Sequence, residues 1–133
     1  MGYAIGVILA VAVSLFARWV GFDRDRSFYP VVLVVIAVLY DLFAVMGGST
    51  HALLVESLMG TVFIVAAVVG FKRDLRIVAV GLAAHGLLDF FHGQIVTNPG
   101  VPVFWPPFCG AYDVTAGAIL WWLSPRGGSL PKT

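Results

Sequence analysis

Five apolar runs of bilayer length, parted by short breaks, constrain this chain more than any other feature. They can be drawn at about residues 2–20, 29–47, 52–71, 75–95 and 104–123, each close to the ~20 residues a helix needs to cross a hydrocarbon core of ~30 Å. Hydrocarbon offers no partner to a bare backbone, so a chain within it must satisfy its N–H and C=O groups internally. Runs of this length do so as helices. Composition agrees: 60% of the 133 residues are hydrophobic and 11% are charged, too little polar surface to cover a water-soluble domain. The expected fold is all-α, a polytopic transmembrane bundle of five helices in one domain over 1–123, with a flexible cytoplasmic tail over 124–133.

The breaks carry turn chemistry. Gly21 to Phe28 holds Asp23-Arg24-Asp25-Arg26, and Pro30 follows near a helix start, where its missing N–H is no loss. Gly47-Gly48-Ser49-Thr50 and Lys72-Arg73-Asp74 are tight turns, Thr97 to Pro102 a rigid one, and Pro106-Pro107 opens the last helix. The first twenty residues lack a basic leading region and a small-residue cleavage pattern, so they read as a retained helix, with a cleaved signal as the lesser alternative. A single cysteine, Cys109, excludes an intrachain disulfide. No nucleic-acid motif is present. Five short helices bury little of their own surface, which leaves a homo-oligomer open.

Charge placement orients the bundle. Arg18, Arg24 and Arg26 lie at the first connection, Lys72, Arg73 and Arg76 at the third, and Arg126 and Lys132 in the tail. With five spans these regions share one side, and they hold all eight Lys and Arg. By the positive-inside rule that side is cytoplasmic, the N-terminus outside and the C-terminus inside. Trp19, Trp121 and Trp122 mark the inner interface and Trp105 the outer one.

Four of the seven carboxylates, Asp41, Glu56, Asp89 and Asp113, fall inside spans with His85 and His92, and no Lys or Arg joins them. Charges there are expensive, about 2.5–3.5 kcal/mol for Asp on insertion scales, and they face a bundle interior or cavity. Either several acids are protonated or a bound cation supplies the missing positive charge. At ~1.5 Å per residue from the outer ends, Glu56 and His92 lie roughly 5 Å deep, Asp89, Asp113 and Asp41 roughly 8–13 Å, and His85 near the midplane. Four helices therefore contribute polar groups to one outer-half band.

His85, Asp89 and His92 stand at i, i+4 and i+7, within roughly 40–60° of one another on a helix turning ~100° per residue. Histidine nitrogen and carboxylate oxygen suit a divalent metal such as zinc. His85, Asp89 and His92 are the candidate ligands, with Asp113 as the fourth. The same groups would also serve a proton- or cation-passing cluster, or plain interhelical hydrogen bonds of about 0.6–2 kcal/mol. Glu56 is the candidate general base beside a metal-bound water; a carboxylate reaching the outer interface is the plainer alternative. Tyr40 and Asp41 are candidates to orient a histidine ring from behind, and Cys109 and Tyr112, beside Asp113, to support the ligands. A packing thiol is the alternative for Cys109. His51 sits in the outer turn, and Asn98-Pro99-Gly100 reads as a turn or as a lid over an outward-facing cavity.

H-x3-D-x2-H, then N-P-x-V-P, then Cys followed shortly by Asp, resembles a pattern in small bacterial integral membrane proteins of uncharacterised function. The match covers about residues 80–122 and marks His85, Asp89, His92, Asn98, Pro99, Pro102, Cys109 and Asp113. The chain departs from it at Gly93, where those proteins tend to carry a further histidine. The resemblance implies a multi-pass protein of the bacterial inner membrane. A looser analogy is to the alkaline ceramidase and adiponectin receptor group, which builds a His/Asp zinc site from transmembrane helices, although with seven spans and an H-x3-H absent here.

The expected function is an outward-facing intramembrane zinc-like site, in a metal-dependent hydrolase of a lipid-like or small apolar substrate. A proton or metal-ion transporter using the same cluster is the alternative, and a non-catalytic accessory subunit a further one. Haem ligation by His85 and His92 ranks last, because one helix face cannot present both to opposite sides of one haem plane.

Overall fold

The computed structural model describes residues 2–24 and 26–124. Asp25 and the expected tail beyond Ser124 lie outside the described residues. Five helices follow in order: α1 (Gly2–Val20), α2 (Phe28–Met46), α3 (Thr50–Lys72), α4 (Leu75–Ile95) and α5 (Trp105–Leu123). Each matches an apolar run to within two residues. Valine and isoleucine abound in them although these residues favour strands, which shows burial of the backbone overriding side-chain preference. Four helices, α1 to α4, are long and apolar enough to cross a membrane; α5, with its Pro, Gly, Tyr and Trp, is not apolar enough by the same measure.

The chain punctuates its helices locally. Ser49 caps α3 by accepting from the Ala52 N–H at 3.1 Å, and Asp74 caps α4 by accepting from the Arg76 N–H at 2.9 Å. Gly48 turns the chain between α2 and α3 with φ of 72°, a backbone state glycine reaches without a Cβ clash. At the opposite end, Arg26 Nε donates to the Phe71 carbonyl at 2.9 Å and Arg76 Nε to the Ser124 carbonyl at 2.9 Å. Both guanidinium groups meet carbonyls at or near helix C-termini, where the helix dipole favours a cation.

α5 sits between α1 and α4, α3 sits between α2 and α4, and α2 also touches α4. The α4–α5 seam is made of small residues. A Cβ on Gly86 would lie 2.7 Å from Val114 Cγ2 and 2.8 Å from the Gly110 carbonyl, and one on Gly117 would lie 2.7 Å from the Ala79 carbonyl. Without side chains at these points the two backbones come close enough for dispersion contact along their length.

The bundle is apolar outside and polar within. Ile8, Leu15, Leu58 and Val62 are each more than 60% exposed, whereas Asp89 and Asp113 are fully buried. Toward the basic end the interior packs Leu33, Val78, Leu82 and Leu120 with Tyr29, and it also buries Ser14, Ser124 and Asp23, the last paired with Arg18 at 3.2 Å. Toward the other end it holds the acids and histidines.

The seam gives a direct check. Replacing Gly86 by Ala is expected to lower the stability of the detergent-solubilised protein by about 1–3 kcal/mol through overpacking. Replacing Gly93, whose Cβ would meet nothing within 4 Å, is expected to be neutral or to raise stability by up to about 1 kcal/mol through helix propensity. Thermal unfolding of the two variants side by side measures both.

Candidate metal centre

Helix α4 supplies the spine. Its polar stripe faces inward because its other faces are Leu, Ile, Val and Phe, and His85, Asp89 and His92 are all buried. The three do not share one centre. Seven residues on a helix are ~10 Å apart along its axis, so His85 and His92 align in projection but stand in two layers. Angular register alone is blind to that rise.

In the deeper layer, His85 Nδ1 lies 2.8 Å from Asp113 Oδ2 on α5 and 3.4 Å from Asp89 Oδ2 one turn along α4. The Tyr40 hydroxyl on α2 donates to Asp89 Oδ1 at 2.5 Å. Cys109, one turn before Asp113, places Sγ 3.6 Å from both Asp113 oxygens. Phe63 on α3 sets its ring edge-on against the His85 imidazole, 4.7 Å between centroids. One atom each from His85, Asp89 and Asp113 lie within 4.8 Å of one another, and all three residues are buried.

The shallower layer is a second imidazole–carboxylate pair. His92 Nε2 lies 2.7 Å from Glu56 Oε2 on α3, and the Asn98 side-chain amide donates to the same oxygen at 2.8 Å. Asn98 also donates to the Tyr40 carbonyl at 3.1 Å. The Thr97–Pro102 connection therefore packs onto the bundle end, with Gly100 set directly against the Phe43 carbonyl.

Tyr40 joins the layers. Its ring stacks on His92 at 4.0 Å and 10° between planes, while its hydroxyl bonds Asp89 in the layer below. This fixes the ring on both sides and leaves its oxygen one position to occupy. Asp89 Oδ2 is the exception in the network, a buried oxygen with no hydrogen-bond donor. It faces His85 at a distance too long for a strong bond.

The remaining candidates lie apart. Asp41, expected beside Tyr40, accepts from the Ser57 hydroxyl at 3.2 Å and is only partly buried. Adjacent helix residues point ~100° apart, so Tyr40 and Asp41 cannot both face the centre. Tyr112 lines a furrow between α1 and α2 in place of the cluster, by the same rule relative to Asp113. Asn98 and Phe63 enter the site although composition alone gave no reason to pick them; the N-P-x-V-P pattern carried the only signal for Asn98.

Zinc bonds of about 2.0–2.1 Å in a tetrahedron put neighbouring ligand atoms about 3.3–3.4 Å apart. The separations of 2.8 and 3.4 Å around His85 Nδ1 differ from this by about half an ångström and by about 0.1 Å or less. An ion there would replace the proton on Nδ1 and give Asp89 Oδ2 the positive partner it lacks. The group can therefore hold a divalent metal ion. No family model matches the chain, and neither does any curated protein or solved structure.

Removing the Tyr40 hydroxyl leaves both Asp89 oxygens without a donor. Tyr40→Phe is expected to destabilise the protein by about 1–3 kcal/mol, with the loss largely recovered when divalent metal is added. Thermal unfolding with and without metal reads both effects.

Proposed function

We propose that this chain is an integral membrane protein in which all five helices span the bilayer, and that His85, Asp89 and Asp113 hold a zinc-type divalent ion in its outer half. The carrying observation is a buried set of three ligand atoms, one each from His85, Asp89 and Asp113, within 4.8 Å of one another; beside it, Asp89 Oδ2 is buried without a hydrogen-bond partner. No Lys or Arg falls within the inner stretch of any helix to balance these acids.

Several features support the topology. Arg26 in the first connection and Arg76 in the first turn of α4 reach the C-terminal ends of α3 and α5. The basic regions thus share one end, which the positive-inside rule makes cytoplasmic. Helix α5 falls short of the apolarity that marks the other four as spans, yet it lies between α1 and α4 and turns Cys109 and Asp113 inward. Its polar face needs no lipid to solvate it.

His85, Asp89 and Asp113 would hold the ion, and a zinc ion held by them would supply an activated water near neutral pH and polarise a carbonyl. Glu56 is held by His92 and Asn98 in the layer above, one layer removed from the ligand atoms, so the base of this scheme is not Glu56 acting directly. The substrate class is a lipid-like or small apolar ester or amide, reached from the outer leaflet. Passage of a proton or metal ion across the membrane is disfavoured by one observation. Inward of His85 the bundle is closed by Val78, Leu82, Leu33 and Leu120, all fully buried.

Elemental analysis of purified protein tests the centre. About one equivalent of metal is expected in the wild type and near none in His85→Ala or Asp113→Asn, while His92→Ala keeps most of it. Hydrolysis of a short-chain lipid ester is expected to vanish on chelation and return with zinc. A wild-type preparation without stoichiometric metal after growth and refolding in zinc would remove the reading, and metal without hydrolysis would remove the enzyme.

A further inference from the structure

The candidate ligands are closed off on most sides. His85, Asp89 and Asp113 are each at most 2% exposed. Inward lie Leu33, Leu82 and Leu120, all fully buried, and the Phe63 ring lies against His85. The furrow that reaches Cys109 is lined by apolar chains such as Leu9, Val35 and Phe108. On the membrane reading it faces hydrocarbon, which a small ion crosses only at high cost. Polar groups lead away from the centre toward the outer end, through Tyr40 and His92 to Glu56 and Asn98. They stop beneath the Thr97–Pro102 connection.

That connection is a self-contained piece. The Val101 N–H donates to the Asn98 carbonyl at 3.3 Å, and the Gly100 N–H to the Asn98 side-chain oxygen at 3.2 Å. Pro99 and Pro102 each lock their own φ. Among the described residues, its hydrogen bonds to α2, α3 and α4 both come from the Asn98 side-chain nitrogen, one to Glu56 Oε2 at 2.8 Å and one to the Tyr40 carbonyl at 3.1 Å. The rest of its seat is shape. Gly100 lies directly against the Phe43 carbonyl, and a Cβ on Gly47 would stand 2.5 Å from the Gly100 nitrogen. A stiff turn fastened to α2 and α3 by one amide comes free when that amide lets go.

We propose that the Thr97–Pro102 connection is a lid over the centre and Asn98 its latch, and that its opening admits water and small cations from the outer face. Opening also takes from Glu56 one of its two hydrogen-bond partners. This carboxylate then becomes the first anionic group an entering cation meets, one layer above Asp89. The lid takes its outer side from the membrane reading above. Its movement does not depend on whether the centre holds a metal.

Cys109 allows a test without metal, being the single cysteine of the chain, buried, and 3.6 Å from the Asp113 oxygens. Silver ion is small, charged and thiol-seeking. It is added to right-side-out or inside-out membrane vesicles holding the full chain, and the thiol left free is alkylated and counted by mass spectrometry. Wild-type Cys109 is expected to react slowly. Asn98→Ala is expected to react about ten-fold faster or more, the factor that one hydrogen bond to a charged acceptor supplies, and only from the outer face. Gly100→Ala, which wedges the lid off the Phe43 carbonyl while keeping the Asn98 amide, is expected to act in the same direction. Val103→Ser, beside the lid and 96% exposed, is expected to match the wild type. An unchanged rate in either lid variant, or a reaction equally fast from the basic face, would overturn the proposal. A chain that binds no zinc yet shows the outer-face acceleration would remove the centre and leave the lid standing.

Discussion

Carboxylates buried without a basic side chain set the terms for the rest of this structure. An ionised acid in a low-dielectric interior is costly unless something positive or a donor reaches it. Here imidazoles are the reach. Asp113 has His85, Glu56 has His92 and Asn98, and Asp89 has Tyr40 on one oxygen. Each bond joins different elements, so satisfying the acids also fixes how α2, α3, α4, α5 and the last connection sit together. Packing of small residues brings the helices near; the polar pairs select one arrangement among those the packing allows.

That division explains why the architecture was legible and the centre only partly so. Helix positions follow from apolar length and from turn residues such as Gly48, Ser49 and Asp74, all local signals. Burial of His85, Asp89 and Asp113 follows from their cost in hydrocarbon. Their partners depend on how helices far apart in sequence rotate and slide, which spacing does not encode. His92 shows the limit, sharing an angular face with His85 yet facing Glu56 a layer away. Asp41 and Tyr112 show it again, each beside a residue that does enter the cluster and each turned from it by one helical step. Tyr40 was a sequence candidate to orient a histidine; that its hydroxyl serves Asp89 while its ring stacks on His92 was not legible.

The two ends of the bundle are held by different means. At the basic end, the guanidinium groups of Arg26 in the first connection and Arg76 at the start of α4 hold carbonyls at the C-terminal ends of α3 and α5, over an interior that is largely apolar. At the other end the last connection tucks Asn98 between Tyr40 and Glu56. The chemistry-bearing residues thus sit under a connection that they help to fasten. A disturbance of Glu56 or His92 would be felt in the covering turn before it reached the basic end.

The pairing of α1 with α5 carries a consequence for how such a chain is made. On the membrane reading, a ribosome delivers α1 first and its chief partner last. The first helix must therefore wait in lipid unaccompanied through the synthesis of three others, which only a strongly apolar segment can do. The fifth can be less greasy because its berth between α1 and α4 is already prepared when it emerges. Assembly would then include a closing step, in which α5, emerging after α1 to α4, brings the aspartate that completes the cluster.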